Sequence, residues 1–196
     1  MRKVIQFVAA VLALSLSAVL NTASPSFAQS ATIGRTAHDT AAPFLAQLKT
    51  AKDEATARML EAQVWAAWTH SGDEEIDALM LRATAMMQTL AFDEALATLD
   101  TVVTKAPRFA EGWNKRATLL YMMNDYDRSL SDILKVLELE PLHFGAISGM
   151  GLIRTAQGHT AAAVAAYRRV LEIDPMNAGA KVSIDALGNE SDGAPI

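Results

Sequence analysis

Three prolines, Pro107, Pro141 and Pro175, stand 34 residues apart, and each closes a run of the same character: ATLDTVVTKAP, LSDILKVLELEP and AYRRVLEIDP. A fixed period of this length means that the chain is built from copies of one small unit. In the second copy, Leu119, Met122 and Met123 in one segment and Leu130, Ile133, Leu134 and Leu137 in the next form two apolar stripes at spacings of three and four. That is the pattern of two amphipathic helices. One hairpin cannot bury both stripes alone, whereas stacked hairpins bury them against each other. Upstream of the first two prolines, LRATAMMQTLAFDEAL and KRATLLYMMNDYDRSL share Arg-Ala-Thr and a turn followed by an aromatic-Asp pair.

From Ile76 to Asn177 this register resembles the tetratricopeptide repeat (TPR) family, whose 34-residue unit is a helix, a tight turn and an antiparallel second helix ending near proline. Trp113, Ala117, Tyr126, Val136 and Pro141 fall at the family's aromatic, small and proline positions in the middle unit. Gly151, Gly158, Ala163, Tyr167 and Pro175 do so in the third, and Ala83, Phe92, Ala95, Leu99 and Pro107 in the first. Arg82 and Arg116 replace a leucine that is frequent in the family, and Ser129 replaces an alanine. The resemblance implies an all-α, right-handed superhelix with units over 76–109, 110–143 and 144–177, non-catalytic in character.

Helical caps are expected at both ends of such an array. Leu60, Val64 and Trp68, with Trp65 beside them, make a stripe preceded by a shorter helix around PFLAQLKTAK, so residues 39–75 read as a helical pair, a degenerate repeat or cap. After Pro175, Met176, Ala180, Ile184 and Leu187 share one helical face, which predicts a capping helix in 178–196. Residues 29–38 read as a disordered linker, and Gly188 to Ile196 as a flexible tail.

The chain opens with MRKVIQFVAAVLALSLSAVLNTASPSFAQS, a basic start, an apolar run and small residues at Ser26 and Ala28. This predicts a secretory signal peptide cleaved after Ala28 and a periplasmic protein. The alternative is an uncleaved anchor, for which the apolar run sits at the lower edge of spanning length. With no cysteine among 196 residues, neither a disulfide nor a lipid-modified cysteine is available. Packing alone must hold the fold. Loss of Arg2 and Lys3 with the signal would take the net charge from −5 to −7, which makes nucleic acid an unexpected partner.

Nothing in the sequence assembles catalytic chemistry. His38, His70, His143 and His159 read as ordinary surface histidines without a second ligand at metal spacing. Asp73, Glu74 and Glu75 read as the acidic start of a helix, favoured by its dipole. No cysteine nucleophile, Gly-x-Ser-x-Gly elbow or phosphate loop is found, so neither enzyme activity nor a cofactor nor a metal is expected. Arg82 and Arg116, one period apart, have two readings. They form an anion clamp, or Arg116 pairs with Asp132 of its own second helix, and the pair is the favoured reading.

In the family, the first helices of successive units line a concave groove that commonly binds peptides or protein segments. By register, the resemblance puts Asp77, Met80, Thr84 and Met87 there, then Glu111, Asn114, Thr118 and Tyr121, then Ser148, Leu152 and Thr155. Met80, Thr84, Met87, Asn114, Thr118, Tyr121, Ser148 and Leu152 are the expected contacts, with Met80 and Met87 having a second reading as core filler. Gly145 and Gly149 leave little bulk, either for close approach of a bound segment or for tight helix packing. Of the family's carboxylate clamp for chaperone tails only Asn114 and Lys115 are suggested, since the other positions hold Met80, Gly145 and Gly149. The expected function is an exported scaffold binding a protein or peptide of the cell envelope; the alternative is a carrier of a small amphiphile in the same groove.

Overall fold

Five helices begin where a side chain takes up a free amide of the first turn. Asp53 accepts the Thr56 N–H at 2.8 Å, Asp73 those of Glu75 and Ile76, and Asp125 that of Arg128. Asn177 caps the last helix through the Ala180 N–H. His143 performs the same task with Nδ1, accepting the Ala146 N–H at 3.1 Å. The structure is a computed structural model that describes residues 25–192. Among them are nine helices and no strand: α1 Pro25–Leu48, α2 Glu54–Thr69, α3 Glu74–Gln88, α4 Phe92–Lys105, α5 Ala110–Met122, α6 Tyr126–Leu139, α7 Phe144–Ala156, α8 Thr160–Ile173 and α9 Ala178–Asp192.

The period reappears in the backbone. Leu90, Asn124 and Gly158, successive at 34 residues, hold the turns of the α3–α4, α5–α6 and α7–α8 hairpins at φ of 59°, 61° and 73°. Ahead of the prolines, Ala106, Glu140 and Asp174 each return an N–H to a valine carbonyl four residues back, at Val102, Val136 and Val170. One core joins α3, α4, the α4–α5 turn and the far end of α5 around Leu99, Val102, Phe109 and Leu119. A second joins α5, α6 and α7 around Ala117, Ile133, Val136 and Ile153.

The third core departs from the sequence reading. Leu45 and Leu48 of α1 and Leu60, Val64 and Trp68 of α2 are buried with Phe144, Ile147, Tyr167, Val170 and Leu187. The N-terminal pair therefore docks onto α7–α9, at the far end of the chain, and does not stand ahead of α3 as one more layer. The expected linker 29–38 lies inside α1, where Ala37 is buried and His38 bonds Glu140 at 2.8 Å. Ala37, Ala41, Leu45 and Leu48, at helical spacing, give α1 a buried face that carries it past Pro43. The expected tail is likewise helical as far as Asp192. Of the expected signal peptide, residues 1–24 lie outside the described residues, as do residues 193–196, while its last residues, 25–28, fall in α1.

Candidate functional site

The first helices α3, α5 and α7 present the groove positions, and α2 crosses that side of the molecule. The Trp65 ring lies so close over Gly145 that a Cβ there would meet it at 2.5 Å. Trp68 stacks on His143 with ring centroids 4.0 Å apart, and Phe144 packs beside both tryptophans. His143 is thus wholly buried, not a surface histidine, because it caps α7 from beneath an indole. Its Nε2 lies 3.4 Å from Glu111, itself buried and held by Asn114 Nδ2 at 2.8 Å and Lys115 at 3.7 Å.

Beyond Trp65 the groove stays open as a trough of about 60 Å³ between α5 and α7. Asn114, Thr118, Tyr121 and Leu152 line it, joined by Ala117, Ser129, Ile133, Gly145 and Gly149. Thr118 and Leu152 are exposed; Asn114 and Tyr121 are half-buried, Tyr121 against Tyr126 at 5.8 Å. The two glycine readings thus divide between two residues: Gly145 receives Trp65, whereas Gly149 leaves the trough open. Ser129 is satisfied by the Ala117 carbonyl at 2.7 Å, a bond invisible without knowing how closely α5 and α6 approach.

The remaining expected contacts fall elsewhere. Met80 and Met87 are buried in the core of α3, α4 and α5, so their core reading is the one the structure gives. Thr84 is half-buried and returns its hydroxyl to the Met80 carbonyl at 2.8 Å. Ser148 is half-buried but outside the trough lining. Asp77 accepts the Ser71 N–H at 2.8 Å and pairs with His70.

Arg116 makes the predicted pair and more: Nε and Nη2 donate to Asp132 and Nη1 to Asp100, each at 2.8 Å. The hydrogen bonds to Asp132 raise its pKa above the usual arginine value against the pull of burial. Arg82 is exposed, but the Arg116 guanidinium is already taken up by Asp132 and Asp100, which leaves it unavailable for a clamp of two guanidinium groups. Among the described residues no cluster of three or more His, Cys, Asp or Glu side chains is set to hold a metal ion. No helix among them is long and apolar enough to cross a membrane.

Residues 146–177, on α7 and α8, match the family model described as Tetratricopeptide repeat. Over 147 residues the chain is 35% identical to a TPR repeat-containing protein of Rhizobium etli, covering 75% of this chain and 72% of that protein. Among solved structures it resembles the first TPR of Spaghetti (RPAP3) bound to HSP90 peptide SRMEEVD, with a TM-score of 0.57, 20% identity and coverage of 62% of this chain and 97% of that one. It also resembles MamA protein, with a TM-score of 0.55, 17% identity and coverage of 85% of this chain and 83% of that one.

Proposed function

The chain belongs to the tetratricopeptide repeat family and folds as an all-α superhelix, and from that premise we propose that it is a non-catalytic scaffold whose groove takes up an extended segment of another protein. The units proposed for it are 76–109, 110–143 and 144–177. The observation that carries this reading is the trough between α5 and α7. It has an aromatic wall in Tyr121, polar groups in Asn114 and Thr118, an apolar floor at Ile133 and a bare backbone at Gly149. Such a mixture suits the side chain and main chain of an extended segment. The peptide bound to the TPR of RPAP3 supports a peptide occupant. A chaperone tail is not proposed, since Lys115 already faces Glu111.

A photo-crosslinking residue at Thr118 tests this in the native cell envelope, with Leu134 on α6, which is 62% exposed, as the control position. The expected result is a protein adduct from position 118 that disappears with Gly149→Leu. At Gly149 a Cβ would meet only the flexible end of Ile133, at 3.4 Å, so leucine fills the trough without forcing the backbone apart. Equal adducts from both positions would remove the groove as the binding surface.

Export to the periplasm is part of the proposal, and N-terminal sequencing of the mature protein should return Gln29. Recovery of Met1 in the membrane fraction would support the anchor instead.

The small-amphiphile alternative is favoured by a different place. The trough is too small for a lipid chain, but a cavity of about 480 Å³ lies between α1, the α6–α7 turn and the end of α8. Its walls include Ala42, Leu45, Pro141, Leu142 and Ile173. Native mass spectrometry of the purified protein would show a co-purified small molecule under this reading and none under the first.

A further inference from the structure

The hairpin that covers part of the groove is tied at its far side by two carboxylates. Asp174, at the end of α8, is fully buried. Its Oδ1 accepts the Met176 N–H at 3.1 Å, while its Oδ2 is buried without a hydrogen-bond partner. Glu61 of α2 is its neighbour, and Glu61 Oε1 accepts from Asn177 Nδ2 at 3.1 Å, across 116 residues of chain. Two acceptors that meet with no donor between them have room for one proton, which gives each a partner. Burial first, and then Asp174, push the Glu61 pKa from 4.5 up to about 7.

The other groups facing Glu61 are few. On α2 itself Arg58 pulls its pKa down, but Arg58 is paired with Glu54 at 3.3 Å. From the α8–α9 turn Asn177 also pulls it down. Among the described residues these, with Ala57, Met176, Ala178 and Gly179, line the hollow beside the pair.

We propose that Glu61 and Asp174 form a proton-operated latch: with a shared proton they tie α2 to the α8–α9 turn, and without it they repel and let α1–α2 lift from α7. In the lifted hairpin Glu61 returns to its ordinary value of 4.5, whereas in the docked hairpin it holds its proton up to about 7. Docking therefore has the full benefit of the proton below pH 4.5, loses it as pH rises from there to about 7, and changes no further above that. The docked interface has a second weakness, because the Trp68 Nε1 is buried there without a partner. Lifting α2 takes Trp65 off Gly145 and lengthens the open trough, so the latch regulates the groove and rests on the reading of the groove as a binding site.

Hydrogen exchange on the full chain, corrected for intrinsic rates, tests the latch without any groove ligand. From pH 5 to pH 8 the protection of α2 should fall by about tenfold or more while that of α3–α6 holds. Glu61→Gln, whose amide donates to Asp174 at every pH, should abolish that fall. Gly145→Ala, which forces Trp65 away, should leave α2 unprotected at both pH values and so report the lifted state. Equal protection of wild-type α2 at the two pH values, or a fall that survives in Glu61→Gln, overturns the latch. A lifted hairpin with no crosslink at position 118 at either pH would uphold the latch and count against the groove, and a lifted hairpin with an unchanged crosslink there would overturn the latch's control of the groove.

Discussion

Arg116 joins three helices at one point, reaching from α5 to Asp132 on α6 and Asp100 on α4. Asp132 is only 5% exposed, so it depends on that guanidinium. Arg116→Met should cost about 2–4 kcal/mol in urea unfolding by leaving a buried carboxylate uncompensated, and Asp132→Leu in the same chain should restore much of it. The pair was legible in the sequence because its two members sit in one hairpin; the bond to Asp100 was not, because it depends on the stacking of one unit upon the next. Trp113 shows the opposite case. Register placed it at the family's aromatic position, but it is half-buried, with Nε1 donating to the Pro107 carbonyl at 3.0 Å and Arg116 4.9 Å from its ring. Trp113→Ala should therefore cost about 1–2 kcal/mol, well short of the 3–5 typical of a fully buried aromatic.

Elements of equal design carry unequal strain. Of the three hairpin turns in the left-handed region, one has glycine, one asparagine and one leucine at the critical position. Leucine is poorly suited to that region, and Leu90 is 70% exposed and gains little from burial. Leu90→Asn should raise stability by about 0.5–1 kcal/mol, seen as a higher melting temperature with no change in helix content. The glycines of α7 make a second contrast. Gly151→Ala drives a Cβ to 2.7 Å from the Tyr167 ring and should destabilise by about 1–3 kcal/mol. Gly149→Ala meets only Ile133 and should gain up to about 1 kcal/mol of helix propensity. The hairpins themselves were legible because period and stripe are local signals. The extent of α1 was not, since residues 29–38 are small and polar, and their helix continues into a face whose partners lie a hundred residues away.

At the scale of the molecule the same limit decides what the sequence could say about the groove. The stripe of Leu60, Val64 and Trp68 announced a buried face, but nothing nearby in the chain names its partners, His143 and Phe144. Two of the expected groove contacts are core residues for a related reason. Met80 and Met87 occupy groove positions by register, yet they are sealed into the core of α3–α5. Because one core gathers residues from Ala41 to Leu187, damage at one end should be felt at the other. Trp68→Ala, at a site 1% exposed, should cost about 3–5 kcal/mol and raise hydrogen exchange in α8 and α9 as well as in α1 and α2, while α3 and α4 keep their protection. The docking of α2 on the last hairpin also fixes how many hairpins there are. An open stack can gain or lose a unit and remain a stack, since each unit touches only its neighbours. Here an extra unit spliced between α6 and α7 would carry Gly145 out of reach of Trp65, and Asp174 away from Glu61. With the three hairpins α3–α4, α5–α6 and α7–α8, α2 reaches back onto the last of them, so the clasp that covers the groove also counts the hairpins.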